Sequence, residues 1–414
     1  MKKGAGDIFH ELKERGFVAQ CSDEAGLREA LLKSRVTYYV GFDPTAESLH
    51  VGSLVPIMAM AHLQRVGHIP IVVLGGGTAM VGDPSGKTEA RPMISRKEIV
   101  RNSVGILDQI KRYLSFGGKR GRAVDNGEWL LKLSLVDFLR ETGGRFRVNE
   151  MLRAEGYRER LLREEGLSFL EFSYQLLQAY DFLILFDKYR CALQMGGNDQ
   201  WGNIVAGIDF VRRTRQTSVF GLTFPLVVTS TGRKMGKTEK GAVWLDARRT
   251  SPYEMYQYWV NTDDRDVGRF LKVFTFLPLA EIYELECLKG ADLRRAKEIL
   301  AYEATALCHG KAEAERAREA SRRAFGGEAC LAELPTLMLK QTRVRKGVSL
   351  VDLLLETGLS VSKGEARRLV EQGGVSVNDK KVLDVNAVCS EKDFVQGVLV
   401  IRKGRKQFYQ IRIV

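Results

Sequence analysis

The sequence predicts an α/β protein with a parallel sheet, and three stretches carry that prediction. TYYVGFD (37–43) reads as a buried strand running into a Gly/Asp/Pro turn, with a helix starting near Ser53. IPIVVLGGG (69–77) is continuously hydrophobic, as strands covered on both faces are, and it too ends in glycines. RCALQMGGNDQWGNI (190–204) supplies another strand and glycine turn. Strand, glycine turn, helix, strand is the pattern of an α/β fold.

The remaining elements come in order along the chain. Residues 7–33 carry apolar positions at helical spacing ahead of the first strand. Residues 97–190 hold several helical segments, the clearest at 168–186 with its Phe, Leu and Tyr stripe. FPLVVTS (224–230) is expected as a strand and TGRKMGKTEKG (231–241) as a flexible basic loop. From Ser251 to about Ala324 the chain is helical and rich in Glu, Lys and Arg, and 325–346 is a poorly periodic connection. The last stretch reads as two short helices and a hairpin, then strands at 394–401 and 407–414. The expected domains are therefore 1–230, a loop at 231–250, a helical domain at 251–324, a linker at 325–346 and a small module at 347–414.

Composition narrows the function classes. A chain of 414 residues has room for two or three cores. With 44% hydrophobic and 28% charged residues it is neither disordered nor fibrous. Lys and Arg outnumber Asp and Glu by 64 to 51, and the resulting +13 favours a polyanionic partner. The basic residues cluster near the end of the chain: Lys363, Arg367 and Arg368 on the module's second helix, then Lys380, Lys381, Arg402, Lys403, Arg405 and Lys406. These are the candidate RNA-binding residues. Six scattered cysteines form no Cys-x-x-Cys pair and have no His at zinc spacing, which points to a reduced, cytoplasmic protein. The two N-terminal lysines lead into no apolar run, and the stretch from Ile69 to Val81 is too short and too glycine-broken to span a bilayer, so no membrane role is expected.

Two separated motifs carry the chemistry. GFDPTAESLHVGS (41–53) places His-x-Gly where a helix should begin. Free N–H groups and the helix dipole there favour a phosphate, and glycine lets a nucleotide approach the backbone. Far downstream, Lys234-Met235-Gly236-Lys237-Thr238 puts two lysines on a glycine-flanked loop, suited to the charge that builds as pyrophosphate leaves a triphosphate. A phosphate-loop NTPase is the competing reading; Gly77 and Gly82 have its spacing, yet Asp83 stands where its lysine is required. Between these motifs Tyr174, Gln178 and Asp181 recur at i, i+4 and i+7, three polar groups on one face of an otherwise apolar helix. Buried polar groups need partners, and a bound amino acid supplies them.

The pair of His-x-Gly and Lys-Met-Gly-Lys resembles the signature of class I aminoacyl-tRNA synthetases. YYVGFDPTAESLHVGS, GDPSGKTEAR, FSYQLLQAYDF and LQMGGNDQWGNI resemble blocks of tyrosyl-tRNA synthetases in the same order, and the C-terminal module resembles a small RNA-binding module shared with a ribosomal protein. The resemblance implies a Rossmann-like doubly wound parallel sheet with an inserted helical region, a helical tRNA-contacting domain and the RNA-binding module. It implies tyrosine, ATP and tRNA(Tyr) as partners, Mg2+ carried by ATP, no tightly bound cofactor, no metal site and a homodimer.

Roles are assigned by resemblance, residue by residue. Tyr39 and Asp181 resemble the pair that holds the phenol hydroxyl; Tyr174, Gln178 and Asp83 resemble the receivers of the α-amino group; Gln200 resembles the residue beside the carboxylate. Gly41, Asp43, Gly197 and Asp199 resemble the backbone and ribose contacts to the adenylate, with Gln194 and Asn126 as lesser assignments. Thr45 and His50 resemble the γ-phosphate contacts, Lys234 and Lys237 their partners on the loop, and Lys87 and Arg91 basic groups over the pyrophosphate. One departure stands out: Ser53 occupies the place of the usual second signature histidine beside the nucleotide, and serine cannot carry charge. Tryptophan activation is the nearest alternative enzyme, and a non-catalytic RNA-binding paralogue the alternative of another class.

Overall fold

The structure, a computed structural model, describes residues 6–85, 94–118, 120–154, 157–158, 161, 167–232, 235–238, 241–325, 334–378, 380–395, 397–404 and 407–414. The chain forms two compact units. The first comprises Met1–Lys237, Trp244–Asp246 and Asp263–Leu293; the second Thr238–Val243, Ala247–Thr262 and Arg294–Val414.

The first unit is built on six strands, β1 (Gln20–Cys21), β2 (Thr37–Phe42), β3 (Ile69–Leu74), β4 (Arg122–Asp125), β5 (Cys191–Gly197) and β6 (Phe220–Phe224). Their order is β1-β6-β5-β2-β3-β4, with β1 antiparallel at one edge and every other pair parallel. Successive strands leave β2 and β5 in opposite directions. That is the doubly wound arrangement, and its crevice lies beyond the carboxyl ends of these two neighbours.

Among the described residues up to β6, the α-helices of this unit are α1 (Ile8–Glu14), α2 (Glu24–Lys33), α3 (Leu54–Arg65), α4 (Arg96–Ile110), α5 (Gly127–Leu130), α6 (Leu135–Glu141), α7 (Val148–Met151), α8 (Phe169–Tyr189) and α9 (Trp201–Arg215). Helix α8 starts at a reciprocal capping box between Ser168 and Glu171 and stops where Arg190 turns left-handed at φ 54°. A cap of this kind contributes about 1 kcal/mol and fixes which face turns inward. Phe182 and Ala179 are fully buried against Tyr39, Ile71 and Val73 of the sheet.

Several details differ from the sequence expectation. Residues 7–33 are not one helical run: Gly16, at φ 86°, separates α1 from α2, and β1 lies between the two helices. The strand expected at 224–230 ends at Phe224, because Pro225 cannot donate to a ladder. Strand β4, short and only partly buried, has no periodic signal.

The second unit contains α10 (Pro252–Val260), whereas the next two helices, α11 (Val267–Phe274) and α12 (Leu279–Glu286), belong to the first unit. The helical stretch 251–324 is thus divided: α11 packs its fully buried Phe270, Leu271 and Phe274 in the first unit beside α3. Buried Arg15 of that unit donates to the Lys272 and Leu277 carbonyls at 3.1 and 2.8 Å, tying α1 to the α11–α12 pair. Helices α13 (Leu293–His309) and α14 (Lys311–Phe325) continue the second unit, apart from Leu293.

Two two-residue strands, β7 (Lys237–Thr238) and β8 (Gly241–Ala242), precede α10. Further on come β9 (Thr336–Leu339), α15 (Gln341–Arg345), β10 (Val348–Ser349), α16 (Leu350–Glu356), α17 (Lys363–Glu371), β11 (Val375–Val377), β12 (Lys380–Val382), β13 (Val388–Cys389), β14 (Val398–Lys403) and β15 (Gln407–Ile413). The main sheet runs β12-β11-β14-β15-β9, and its last pair is parallel. The stretch expected as a linker at 325–346 therefore supplies an edge strand. Leu334 beside it is buried with Phe408, Tyr253 and Ala320, so the module and the helices of this unit share a core.

Candidate active site

A cavity of about 280 Å³ opens at the switch point between β2 and β5. Its walls include Tyr39, Gly41 and Asp43 from β2 and its turn, Ser53 from the start of α3, Asp83 after β3, Tyr174, Gln178 and Asp181 from α8, Gly197 at the end of β5, and Asp199 and Gln200 just after it. All six residues assigned by resemblance to tyrosine line this one cavity, as do Gly41, Asp43, Ser53, Gly197 and Asp199 of the adenylate set. Gln194 and Asn126 line it as well.

At the floor, Asp181 is 4% exposed and accepts Asn126 Nδ2 at 2.8 Å and Trp129 Nε1 at 2.7 Å, one donor on each oxygen. Burial pushes its carboxyl up to about 7; the two hydrogen bonds pull it down, while Asp43 and Asp125 raise it further. Tyr39, opposite, is 2% exposed and its hydroxyl is buried with no hydrogen-bond partner. Burial and the Asp181 charge hold its phenol well above the ordinary range, so it stays protonated and able to donate. A buried hydroxyl without a partner costs on the order of 1–3 kcal/mol, and because Tyr39 lines the cavity a ligand there can complete it.

At the other end the polar side chains hold one another. Tyr174 donates to Asp43 Oδ2 at 3.1 Å, Gln200 Nε2 to Asp83 Oδ2 at 2.7 Å, and Asn203 Nδ2 to Gln178 Oε1 at 3.3 Å. A β-carbon at Gly41 would meet nothing within 4 Å, so β2 presents bare backbone to the cavity there.

The two signature motifs meet. His50 caps the 3-10 turn Val51–Ser53, its Nδ1 accepting from Gly52 N at 3.0 Å. A β-carbon on Gly52 would lie 3.0 Å from the Met235 carbonyl oxygen, and one on Gly236 2.9 Å from Gly52 N. The Met-Gly turn thus rests directly on the His-Val-Gly turn. Thr45 is exposed nearby; neither it nor His50 lines the cavity itself. Lys87, Arg91, Lys234, Arg405 and Lys406 lie outside the described residues, and for Lys237 only the backbone is described.

Two contributors escape sequence reasoning. Trp129 sits in a four-residue helix with no periodicity to mark it. Thr78, in the GGGTAM stretch, has its hydroxyl on Asp43 Oδ1 at 2.9 Å. Its one signal is its place just past the carboxyl end of a buried strand, where open α/β sheets put their ligands.

In the second unit, Arg367 and Arg368 are exposed on α17, and Lys363 on the same helix pairs with Asp352 at 2.8 Å. Lys381 and Arg402 both lie opposite Ser376, on the strands either side of it. Lys380 is exposed on β12, whereas Lys403 is held by the Leu359 carbonyl at 2.7 Å and Glu365 at 3.0 Å.

A doubly wound sheet whose ligand crevice is flanked by a His-x-Gly turn and a Met-Gly turn in backbone contact is the catalytic architecture of class I aminoacyl-tRNA synthetases. Residues 32–326 match the family described as class I tRNA synthetases (W and Y), and residues 328–411 the SYY-like C-terminal domain of tyrosine–tRNA ligases. The chain is 48% identical over 407 residues to the tyrosine–tRNA ligase of Acetivibrio thermocellus, covering 98% of this chain and 99% of that one. It is 50% identical over 421 residues to that of Desulfosudis oleivorans, 97% of each. A C-terminally truncated mitochondrial tyrosyl-tRNA synthetase from Aspergillus nidulans shares the fold with a TM-score of 0.69 at 33% identity, over 78% of this chain and 95% of that one. The chain belongs to the tyrosyl-tRNA synthetase family, and it is a tyrosine–tRNA ligase that uses ATP.

Proposed function

We propose that the cavity takes tyrosine with its phenol hydroxyl between Tyr39 and Asp181, its ammonium at Tyr174, Gln178 and Asp83, and its carboxylate beside Gln200. The observation that carries this reading is the partnerless Tyr39 hydroxyl in a cavity that also holds the Asp181 carboxylate. Phenylalanine would leave the Tyr39 hydroxyl unmatched. Tyrosyl-tRNA synthetases are themselves the standard illustration of a polar site rejecting a substrate that lacks its partner, so the size of that discrimination is a property of the family rather than a result of the present geometry.

ATP lies over the strand ends, with Gly41, Asp43, Ser53, Gly197 and Asp199 around the adenosine and α-phosphate. The tyrosine carboxylate oxygen attacks the α-phosphorus, the bond to the bridging oxygen breaks, and pyrophosphate leaves with its electron pair. No side chain becomes a nucleophile; Thr45, His50, Lys87, Arg91, Lys234 and Lys237 stabilise the charge that builds on the leaving group. Mg2+ arrives with ATP. The terminal ribose hydroxyl of tRNA(Tyr) then attacks the adenylate carbonyl and releases AMP.

The basic residues of the C-terminal module, Arg367 and Arg368 foremost, are the proposed RNA contacts, and the helical stretch 251–324 a further tRNA-contacting region. A homodimer is supported by large apolar side chains left exposed in the inserted region: Phe169 at 74%, Val136 at 71% and Leu135 at 69%, with Leu131, Leu139, Val148, Leu161 and Leu170. The described cysteines are all free thiols, which supports a cytoplasmic setting. No helix among the described residues is long and apolar enough to cross a membrane.

ATP-dependent pyrophosphate exchange with tyrosine, tryptophan and phenylalanine supplied separately tests the pocket. Exchange with tyrosine alone is expected. Comparable exchange with phenylalanine would overturn the phenol assignment.

A further inference from the structure

One buried hydroxyl joins the two ends of the cavity. Thr78 is 3% exposed, in a 3-10 turn just past β3. Its hydroxyl donates to Asp43 Oδ1 at 2.9 Å and accepts from Asn126 Nδ2 at 3.0 Å. Asp43 Oδ2 in turn accepts from Tyr174 at 3.1 Å, and Asn126 Nδ2 also donates to Asp181 Oδ2 at 2.8 Å. A continuous hydrogen-bond chain therefore runs Tyr174, Asp43, Thr78, Asn126, Asp181, from the ammonium end to the phenol end.

The chain has one consistent polarity. An ionised carboxylate only accepts, so the Thr78 proton points to Asp43 and the oxygen lone pairs are left for Asn126. Asn126 Oδ1 accepts Gly77 N at 2.8 Å, which fixes the amide the right way round. Both Nδ2 hydrogens are then committed, one to Thr78 and one to Asp181. The backbone is shaped around this pairing: a β-carbon at Gly75 would fall inside the contact distance of Asp43 Oδ1 and 2.6 Å from Thr78 Oγ1.

We propose that Thr78 is a positioning residue for tyrosine selection, orienting Asn126 so that Asp181 meets the phenol hydroxyl, and holding Asp43 against Tyr174. This rests on the assignment of Asp181 to the phenol. Valine at position 78 keeps the shape and removes donor and acceptor together. Tyrosine then loses alignment at its hydroxyl, while phenylalanine, with no hydroxyl there, loses only what the Asp43 end contributes.

The experiment measures kcat and KM in pyrophosphate exchange, for tyrosine and for phenylalanine, with the full-length wild type, Thr78→Val, Thr78→Ser, Gly75→Ala and Asp181→Asn. Thr78→Val is expected to lower the tyrosine-to-phenylalanine ratio of kcat/KM by about tenfold, mainly through KM for tyrosine, as loss of one buried hydrogen bond would. Thr78→Ser restores the ratio to within about threefold, since it keeps the hydroxyl, and Gly75→Ala shifts it in the same direction as valine. Equal losses for both amino acids, or no recovery with serine, overturn the proposal. Asp181→Asn is the independent control: if it leaves the ratio intact, the phenol assignment itself fails, whatever the Thr78 variants do.

Discussion

Gly236 has Gly52 directly behind it: a β-carbon at 236 would sit 2.9 Å from the Gly52 nitrogen and 3.3 Å from His50 Nδ1. Gly236 also adopts φ 78°, a conformation that costs an L side chain roughly 1–3 kcal/mol. Gly236→Ala is therefore expected to part the two signature turns and slow activation at least about tenfold, while tyrosine affinity is unchanged. Exchange kinetics beside equilibrium tyrosine binding check this; a matching loss of tyrosine affinity would refute it.

Tyr39→Phe separates stability from function. Removing a buried hydroxyl that has no partner should stabilise the free protein by about 1 kcal/mol in denaturant unfolding. The same change should raise KM for tyrosine by about tenfold. A variant that is less stable than the wild type would show that the hydroxyl is satisfied in solution.

Asp181 should leave a pH signature on stability. Its carboxyl stands at about 7 in the fold against 3.8 for the ordinary group. Between those values the folded chain binds a proton that the unfolded chain has released, so this contribution is present at low pH and lost as pH rises toward 7, then flat. The loss is on the order of 4 kcal/mol. Asp181→Asn removes the titration, so the unfolding free energy of wild type minus variant should fall between about pH 5 and pH 7. A difference that rises over that range would reverse the sign of the burial effect.

Much of this site is legible in the sequence because it lies on elements whose pattern is strong. The strand ends at Gly41 and Gly197 announce themselves by glycines after hydrophobic runs, and Tyr174, Gln178 and Asp181 by polar residues on an apolar helical face. Trp129 is obscure because its importance comes from packing onto Asp181 from a region of short, aperiodic helices, and Asn126 beside it is reached by resemblance alone. The strand Thr336–Leu339 looks like a linker for a similar reason: it is half exposed at a sheet edge and gains its conformation from pairing with β15.

Ser53 lines the cavity at the start of α3, and its side chain makes no capping hydrogen bond. Replacing it with histidine therefore removes no helix cap. Ser53→His is expected to change the activation rate by less than about tenfold, or 1.4 kcal/mol. A much larger gain in single-turnover adenylate formation would mean that the natural site is impaired.

Arg367 and Arg368 are exposed and can be reversed in sign without disturbing a core. The double change Arg367→Glu, Arg368→Glu should raise KM for tRNA and lower the salt dependence of tRNA binding by about one to two counterions, with pyrophosphate exchange untouched. Unchanged salt dependence would remove these two from the RNA surface.

Helix α8 also acts as a gauge. Tyr174 and Asp181 stand two turns apart on one rigid rod, about 10 Å along its axis at 1.5 Å per residue. Because the rod is capped at both ends, that span cannot stretch or slip to suit a different guest. If the hydroxyl sits at Asp181 and the ammonium at Tyr174 as proposed, the pocket measures the distance between them, and an isomer with the hydroxyl moved one carbon round the ring should be turned away for its geometry although its polarity is right.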